Sequence, residues 1–483
     1  MKARAVPGAA GPIVRGLSEA QAGLWYAQRL APDNPAFNTA HAVWIEGALD
    51  VAAFVRAADQ AAQEAEALAL RMVESGESLP MQWVDPQHTP ALQVMDLSDQ
   101  PDPAAAAREA MQRDRLNPVD PARDRLSQQR LFLLGPARSV WYLRVHHLAT
   151  DGYGMGLLTE RVCALYAGNA SHAALAPLAP ALEEDTAYRA SERRTRDATY
   201  WRELLADAPA ATGLQAGLAA AAPDALRHVQ PMAPALRERL HSAAAAIGQP
   251  WPDLLTALGA EYCRRISGEA EAIIGVPFMG RLGSVSARVP AMVMNVLPLR
   301  VTAGEGGVDT FVRDVALRLM RGRRHGRYRG EQLRRDLGLI GGQRRLHGPL
   351  VNVQPFYRPL QLAGVHATLE VLSTGPVDDV TLGFRGDGTA VLDLEIEANP
   401  TLYTAAQVQA HAARLLHFVS AALEVQAAGG DIAAVPLCTP EEAQRYLYDI
   451  NATAHPVPEV SLATLITECM HRTPEAVAVV FGG

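Results

Sequence analysis

The stretch Val140 to Gly156, VWYLRVHHLATDGYGMG, constrains what this chain can fold into more than any other segment. Its first residues alternate, so that Trp141, Leu143, Val145 and His147 share one face of a strand and Tyr142, Arg144 and His146 the other. A Gly-rich turn follows, then a helix from about Met155 to Ala167. His147 thus stands on the apolar face at the end of a strand, where a neutral imidazole with a pKa near 7 can work as a base. Asp151, in the turn, is placed to hold either the turn or the imidazole by hydrogen bonds. Gly152, Gly154 and Gly156 allow backbone to approach a substrate closely. A single histidine at a strand end is most often structural, but two adjacent histidines, an aspartate at a fixed offset and a following glycine form a rarer combination.

Around this segment, strand and helix patterns alternate. Ser18 reads as the N-cap of a helix that ends before Pro32, a strand covers His41 to Glu46, and an alanine-rich helix runs from Asp50 to about Ala69. Short strands at Pro80 to Val84 and Ala91 to Met95, a helix at Pro103 to Leu116, and a strand near Arg125 to Leu134 lead into the histidine strand. After the Ala-, Leu- and Pro-rich stretch Ala173 to Pro180 the mixture restarts with a long helix, Leu182 to Asp207. The pattern predicts an α/β fold of the α+β sandwich kind. Residues 1–16 read as a flexible tail, 17–180 as one lobe and 181–430 as a second. Residues 431–458 read as a linker, and 459–483 as the truncated start of a further domain whose strand, Ala476 to Phe481, has no partner.

Composition excludes whole classes of chemistry. Basic residues number 44 against 52 acids in 483 residues, a formal charge of −8, and only Lys2 among the 44 is lysine. A lysine at the N-terminal fringe is neither a Schiff-base amine nor a Walker lysine, which removes pyridoxal phosphate enzymes, P-loop NTPases and kinases. Cys163, Cys263, Cys438 and Cys469 are scattered, with no CxxC pair for zinc and no dense disulfide framework. No signal-peptide core and no run of about 18 apolar residues is present, so the expected home is the cytoplasm, without a membrane anchor. The acidic balance and the absence of interleaved aromatics argue against nucleic acid as a partner.

The HHxxxDG pattern of His146 to Gly152 resembles the signature of the condensation domains of nonribosomal peptide synthetases, within the chloramphenicol acetyltransferase-like superfamily, which keeps a looser HxxxD. Further stretches resemble that family's motifs in order: LSEAQAGLWY from Leu17, ATYW from Ala198, IIGVPFMGR from Ile273 and VMNVLPLR from Val293. HGRYRGEQLRRDL from His325 resembles a diverged seventh motif. RLGS, NVLPLR, RRHGRYRGEQ and STGPVDD look most like the condensation domain of the serine-activating enterobactin synthetase. The tail, NATAHPVP and LATLITECMHRTPEAVAVVF, resembles a linker into an adenylation domain, which a free CoA-dependent acyltransferase would have no reason to carry.

The resemblance implies two chloramphenicol-acetyltransferase-like lobes in a V-shaped pseudodimer with a central tunnel. It implies amide formation: the amine of an aminoacyl thioester on a downstream carrier attacks an aryl, fatty-acyl or peptidyl thioester on an upstream carrier. His147 would be the catalytic residue with His146 supporting it, and the amide of Gly152 a candidate oxyanion donor. Asp151 and Arg281 would form a structural ion pair between lobes, while Asn295 and Trp201 support the tunnel. No cofactor is expected on the chain itself, because substrates ride on the phosphopantetheine of carrier proteins. The upstream carrier is expected in trans, the adenylation and downstream carrier domains in cis, and the chain as a monomer. Between Arg318 and Arg345 ten arginines meet only Glu331 and Asp336. Arg323 and Arg324 there are candidates for docking acidic carriers, against the plainer reading of a solvated helix face. The remaining alternatives are a non-catalytic platform of the same fold that recruits carriers or a tailoring enzyme, and a free CoA-dependent acyltransferase.

Overall fold

The computed structural model describes residues 13–75, 78–169, 171–339 and 344–482; the first twelve residues of the expected tail lie outside the described residues. Residues up to Leu437 form one compact unit, and Cys438–Gly483 a second.

The first part of the chain folds into β1 (Arg15–Gly16), α1 (Glu19–Leu30), β2 (Asn38–Glu46), α2 (Val51–Glu64), β3 (Leu70–Ser75), β4 (Ser78–Val84), β5 (Leu92–Asp96), α3 (Pro103–Arg115), β6 (Ser127–Gly135), β7 (Arg138–His146) and α4 (Gly152–Tyr166). Local chemistry sets these boundaries. Ser18 and Gln21 form a reciprocal capping box at the head of α1, and the Asp50 carboxylate caps α2 by accepting from the Ala53 amide at 2.9 Å. The helix read from Met155 starts earlier, at Gly152, because Asp151 is its N-cap and accepts from the Gly154 amide at 2.9 Å.

The chain continues through α5 (Ala179–Arg189), α6 (Glu192–Leu204), β8 (Leu226–Pro231), α7 (Pro234–Ile247), α8 (Trp251–Ser267), β9 (Glu271–Phe278), β10 (Asn295–Thr302), α9 (Val308–Arg324) and α10 (Gly330–Asp336). The elements β11 (Leu350–Gln354), β12 (His366–Ser373), β13 (Val380–Gly386), β14 (Leu392–Ala398) and α11 (Ala405–Ala427) complete this unit's main framework. The single helix expected over Leu182 to Asp207 is instead two. Ser191 interrupts it by bonding the Tyr188 carbonyl and capping α6 at the Arg194 amide.

Two large sheets organise the unit. One has the order β12-β2-β7-β6-β5 and the other β10-β9-β11-β13-β14-β8. The boundary expected near residue 180 does not divide them cleanly: β12, deep in the second part of the sequence, pairs antiparallel with β2 at the edge of the first sheet. In the first sheet, β7 is buried on both faces. Trp141, Leu143 and Val145 pack with Phe54 and Leu158, and Val140 and Tyr142 with Phe132 and Met111. In the second sheet Leu394 and Ile396 join Leu258, Leu415 and Phe418 in the largest core, which leaves the alternate residues Glu395 and Glu397 on the opposite face.

In the second unit, α12 (Pro440–Gln444) precedes α13 (Leu462–Arg472), which forms as the sequence suggests. The strand expected at Ala476 to Phe481 does not form, since an isolated segment has no neighbour to complete its hydrogen bonds. No helix among the described residues is long and apolar enough to cross a membrane.

Candidate active site

Strand β7 delivers the two histidines and then releases the chain. The His147 amide donates to the Phe37 carbonyl at 2.7 Å, which fixes the backbone one residue past the strand. The two rings differ in what they can do. His146 accepts at Nδ1 from the Leu148 amide (3.2 Å), which leaves Nε2–H to donate to Gln28 Oε1 (3.0 Å), and its ring stacks on Phe37. Burial, reinforced by His147 and Arg144, lowers its pKa to about 3. With both nitrogens engaged, His146 is a neutral strut.

His147 is buried too, and burial lowers its pKa, while the charge of Asp151 and the carbonyls of His147, Thr150 and Thr374 pull the other way. Among the described residues its Nδ1 has no hydrogen-bond partner. A buried, neutral imidazole with an unengaged nitrogen is rare in a finished core and suits proton transfer. Its Cδ2–Nε2 edge lies against Gly375: a Cβ built there would sit 2.8 Å from Cδ2 and 3.2 Å from Nε2. Gly375 also has φ +118°, which a side chain would strain.

Asp151 is not free to assist the imidazole. Arg281 Nη2 lies 2.8 Å from each of its carboxylate oxygens, and the amides of Gly154, Val293 and Met294 donate to it at 2.9 to 3.0 Å. Burial alone would raise its pKa, but the Arg281 charge and the Gly154 and Val293 amides outweigh it and hold the carboxyl below its usual range. Arg281 also donates to the carbonyls of Ser286, Val289 and Ala291, so the pair ties the Gly152 turn to the 281–294 loop.

The three glycines separate by environment. A Cβ at Gly154 would lie 2.2 Å from Thr150 Oγ1 and 3.1 Å from the Pro290 backbone, so this glycine serves packing against the protein. Gly156 faces open space. Gly152, first residue of α4, has Gln354 and Tyr357 as its nearest neighbours, and its carbonyl accepts from the Tyr357 hydroxyl at 3.5 Å.

A family model described as Condensation domain matches residues 14–444. The chain belongs to the condensation-domain family. Across 472 residues this condensation domain is 37% identical to a dimodular nonribosomal peptide synthase of Bacillus subtilis, covering 96% of this chain and 20% of that protein. It is 39% identical over 420 residues to the isonitrile lipopeptide synthase of Streptomyces coeruleorubidus, covering 85% of this chain and 28% of that protein. With enterobactin synthase component F of Escherichia coli O157:H7 it shares 32% identity, over 96% of this chain and 36% of that one. The chain therefore spans a fifth to about a third of these curated relatives. Among solved structures, the starter condensation domain of rhizomide synthetase in complex with C8-CoA and Leu-SNAC superposes with a TM-score of 0.80 at 32% identity, covering 88% of this chain and 98% of that one. The first condensation domain of the CDA synthetase gives 0.79 at 31%, covering 88% and 99%. Condensation domains are amide-bond-forming acyltransferases, and the mixed α/β architecture is theirs.

Asn295 and Trp201 of this condensation domain brace one loop. Asn295 Nδ2 donates to the carbonyls of Gly326 and Tyr328 while its Oδ1 accepts from the Gly330 amide. Trp201 Nε1 donates to the His325 carbonyl at 2.9 Å. Arg329 then donates to the carbonyls of Val293 and Met294, whose amides hold Asp151, so this loop supports the site through the 293–294 backbone.

Half of the ten arginines in the arginine-rich stretch are committed to ion pairs among the described residues. Arg318, Arg327, Arg329 and Arg345 pair with Asp314, Glu184, Glu331 and Asp379. Arg323 makes a two-pronged pair with Asp253, at 2.5 and 3.0 Å, so one of the two docking candidates is already neutralised. Arg324 is exposed, and no salt bridge engages it or Arg321 among the described residues.

Four residues at the site escape sequence reasoning. Gln354 and Tyr357 reach Gly152, while Thr374 and Gly375 reach His147. The only sequence signal is the Gly-Pro pair within STGPVDD, which marks a turn but not what lies beneath it.

Proposed function

We propose that His147 serves the attacking amine in a condensation between two thioesters, each carried on the phosphopantetheine of a carrier protein. A carbon–nitrogen bond forms between the aminoacyl α-amine and the acyl carbonyl, and the acyl carbon–sulfur bond breaks. The nitrogen gives up a proton and the departing sulfur leaves as thiolate or, protonated, as thiol. The observation that carries the reading is the buried imidazole of His147, its Nδ1 without a hydrogen-bond partner among the described residues, in the turn that runs from β7 into α4. Burial keeps the ring neutral at pH 7, the form that accepts a proton from the nitrogen. No protein nucleophile is required, because the thioester is already activated. Holding both tethered ends in line supplies about 7 to 11 kcal/mol in favourable systems.

The Gly152 amide opens a helix, has no acceptor within it and lies at its positive end, which supports a role in stabilising the oxyanion of the tetrahedral intermediate. Asp151, Arg281, Asn295 and Trp201 hold the surrounding backbone. The donor is an aryl, fatty-acyl or peptidyl group. A structural neighbour crystallised with C8-CoA, and relatives that make lipopeptide or enterobactin, support that range. Acidic carriers would meet the arginine-rich stretch at Arg321 and Arg324. The second unit reads as a linker and the opening helix of an adenylation domain, supported by α13.

The test is a single-turnover assay with a panel of acyl-loaded and aminoacyl-loaded carriers. His147→Ala with an unaltered melting curve should lose about 10²- to 10⁴-fold in rate. Unchanged product yield would remove His147 from the chemistry. A platform that only recruits carriers would bind both and give no product even as wild type.

A further inference from the structure

The polar face of the second sheet ends against both halves of the motif. On β14, Glu397 and Glu395 are buried, the former accepting a hydrogen bond from the Thr374 hydroxyl. Arg227 on β8 pairs with Glu395 and lies 3.9 Å from Glu397. Arg385 on β13 pairs with Glu395 at 2.9 Å, donates to Gln354 at 3.0 Å and places its guanidinium 4.9 Å from the Tyr357 ring centre. Tyr357 reaches the Gly152 carbonyl, and Thr374 precedes the Gly375 that lies on His147.

Two buried carboxylates on a sheet face are costly, and fold stability alone is better served there by apolar side chains. Burial and then Glu395 push the Glu397 carboxyl up, to about 6, so its charge is held at a cost offset only in part by Thr374, Arg227 and Arg385. That cost falls on β14, whose Glu397 grips the segment covering the imidazole.

We propose that Glu397 is a positioning residue for His147: by accepting the Thr374 hydroxyl it seats the Thr374 carbonyl and Gly375 against the ring and fixes the imidazole for the attacking amine. The proposal rests on the role of His147 argued above. Glu397 touches neither thioester, so its removal should lower the rate of the bond-forming step and leave carrier binding alone.

The experiment uses the whole chain and the pair of loaded carriers that gives most product with the wild type, both in excess, measuring steady-state kcat and KM for Thr374→Val, Thr374→Ser, Glu397→Gln, Glu397→Ala and the double variant Thr374→Val/Glu397→Ala. Thr374→Val and Glu397→Ala should each lose about ten- to a hundredfold in kcat with KM unchanged, the size expected of a reacting group displaced by about an ångström. Thr374→Ser keeps the donor and Glu397→Gln keeps an acceptor oxygen, so both should stay within about threefold of wild type. The double variant should be no slower than the worse single one, because both break one contact. Wild-type kcat in Thr374→Val, losses confined to KM, or losses that multiply in the double variant overturn the proposal. Thr374→Val decides alone if Glu397→Ala does not fold. His147→Ala run alongside separates the two levels: if it is fully active the reading of His147 fails, and if it alone is slow only the role of Glu397 fails.

Discussion

Asp151 and Arg281 are 1% and 3% exposed at their side chains, and each would be left as a buried charge without its counter-charge if the other were removed. Breaking such a pair from one side typically costs about 3 to 5 kcal/mol, more than either residue contributes to a surface contact. Arg281→Ala and Asp151→Ala should therefore each lower the denaturation free energy by about that amount, read from urea unfolding. The loss in the double variant should be well short of their sum. The pH dependence follows from the lowered carboxyl of Asp151. Its contribution is complete above the ordinary aspartate pKa and is lost as pH falls through the folded value. Wild type should then lose stability on the acid side, below about pH 4, and Asp151→Asn should lose less over that interval. The sequence offered these two residues as partners only through resemblance. Their spacing of 130 positions says nothing by itself, and of the five hydrogen bonds that make the carboxylate structural, one comes from Gly154 in the first turn of α4 and four from a loop no periodicity describes.

At the level of elements, α4 shows how glycines of similar appearance take different duties. Gly154→Ala places a Cβ in the Thr150 hydroxyl and against the Pro290 backbone, an overpacking worth about 1 to 3 kcal/mol of lost stability. Gly156→Ala meets open space inside a helix and should gain up to about 1 kcal/mol. Thermal unfolding of the two variants should move in opposite directions. The strand β7 and its alternation are readable because period two is a local property of the chain. So are the caps of α1 and α2, at Ser18 and Asp50. The break at Ser191 and the early start of α4 are not readable in this way: Ser191 takes the Arg194 amide from a helix that the pattern continues, and Asp151 caps an amide that a helix start leaves without a partner.

At the scale of the molecule, β12 carries the chain from the second sheet's half of the sequence to the edge of the first, and so delivers Thr374 and Gly375 to His147. The outer surface poses a separate question. With Arg323 neutralised by Asp253, carrier docking should depend on Arg321 and Arg324. Reversing both to glutamate should weaken binding of an acidic carrier severalfold at low salt, a difference that shrinks at 0.3 M salt as charges are screened, measured by titration of the loaded carrier. Reversal of Arg323 should instead destabilise α9 against α8.

The sequence by itself determined the strand–turn–helix, the two histidines, the exclusion of lysine chemistry and the order of motifs, because these are matters of residue type and short-range period. Tertiary structure alone decided which histidine keeps a free nitrogen, which arginines are spent on ion pairs, and that Glu397, Thr374 and Gly375 stand behind His147. The last of these follows from strand order and register, with β12 pairing to β2 across more than three hundred positions, and the others from packing between separate elements; burial and pairing partners, not local pattern, set what a side chain can do there.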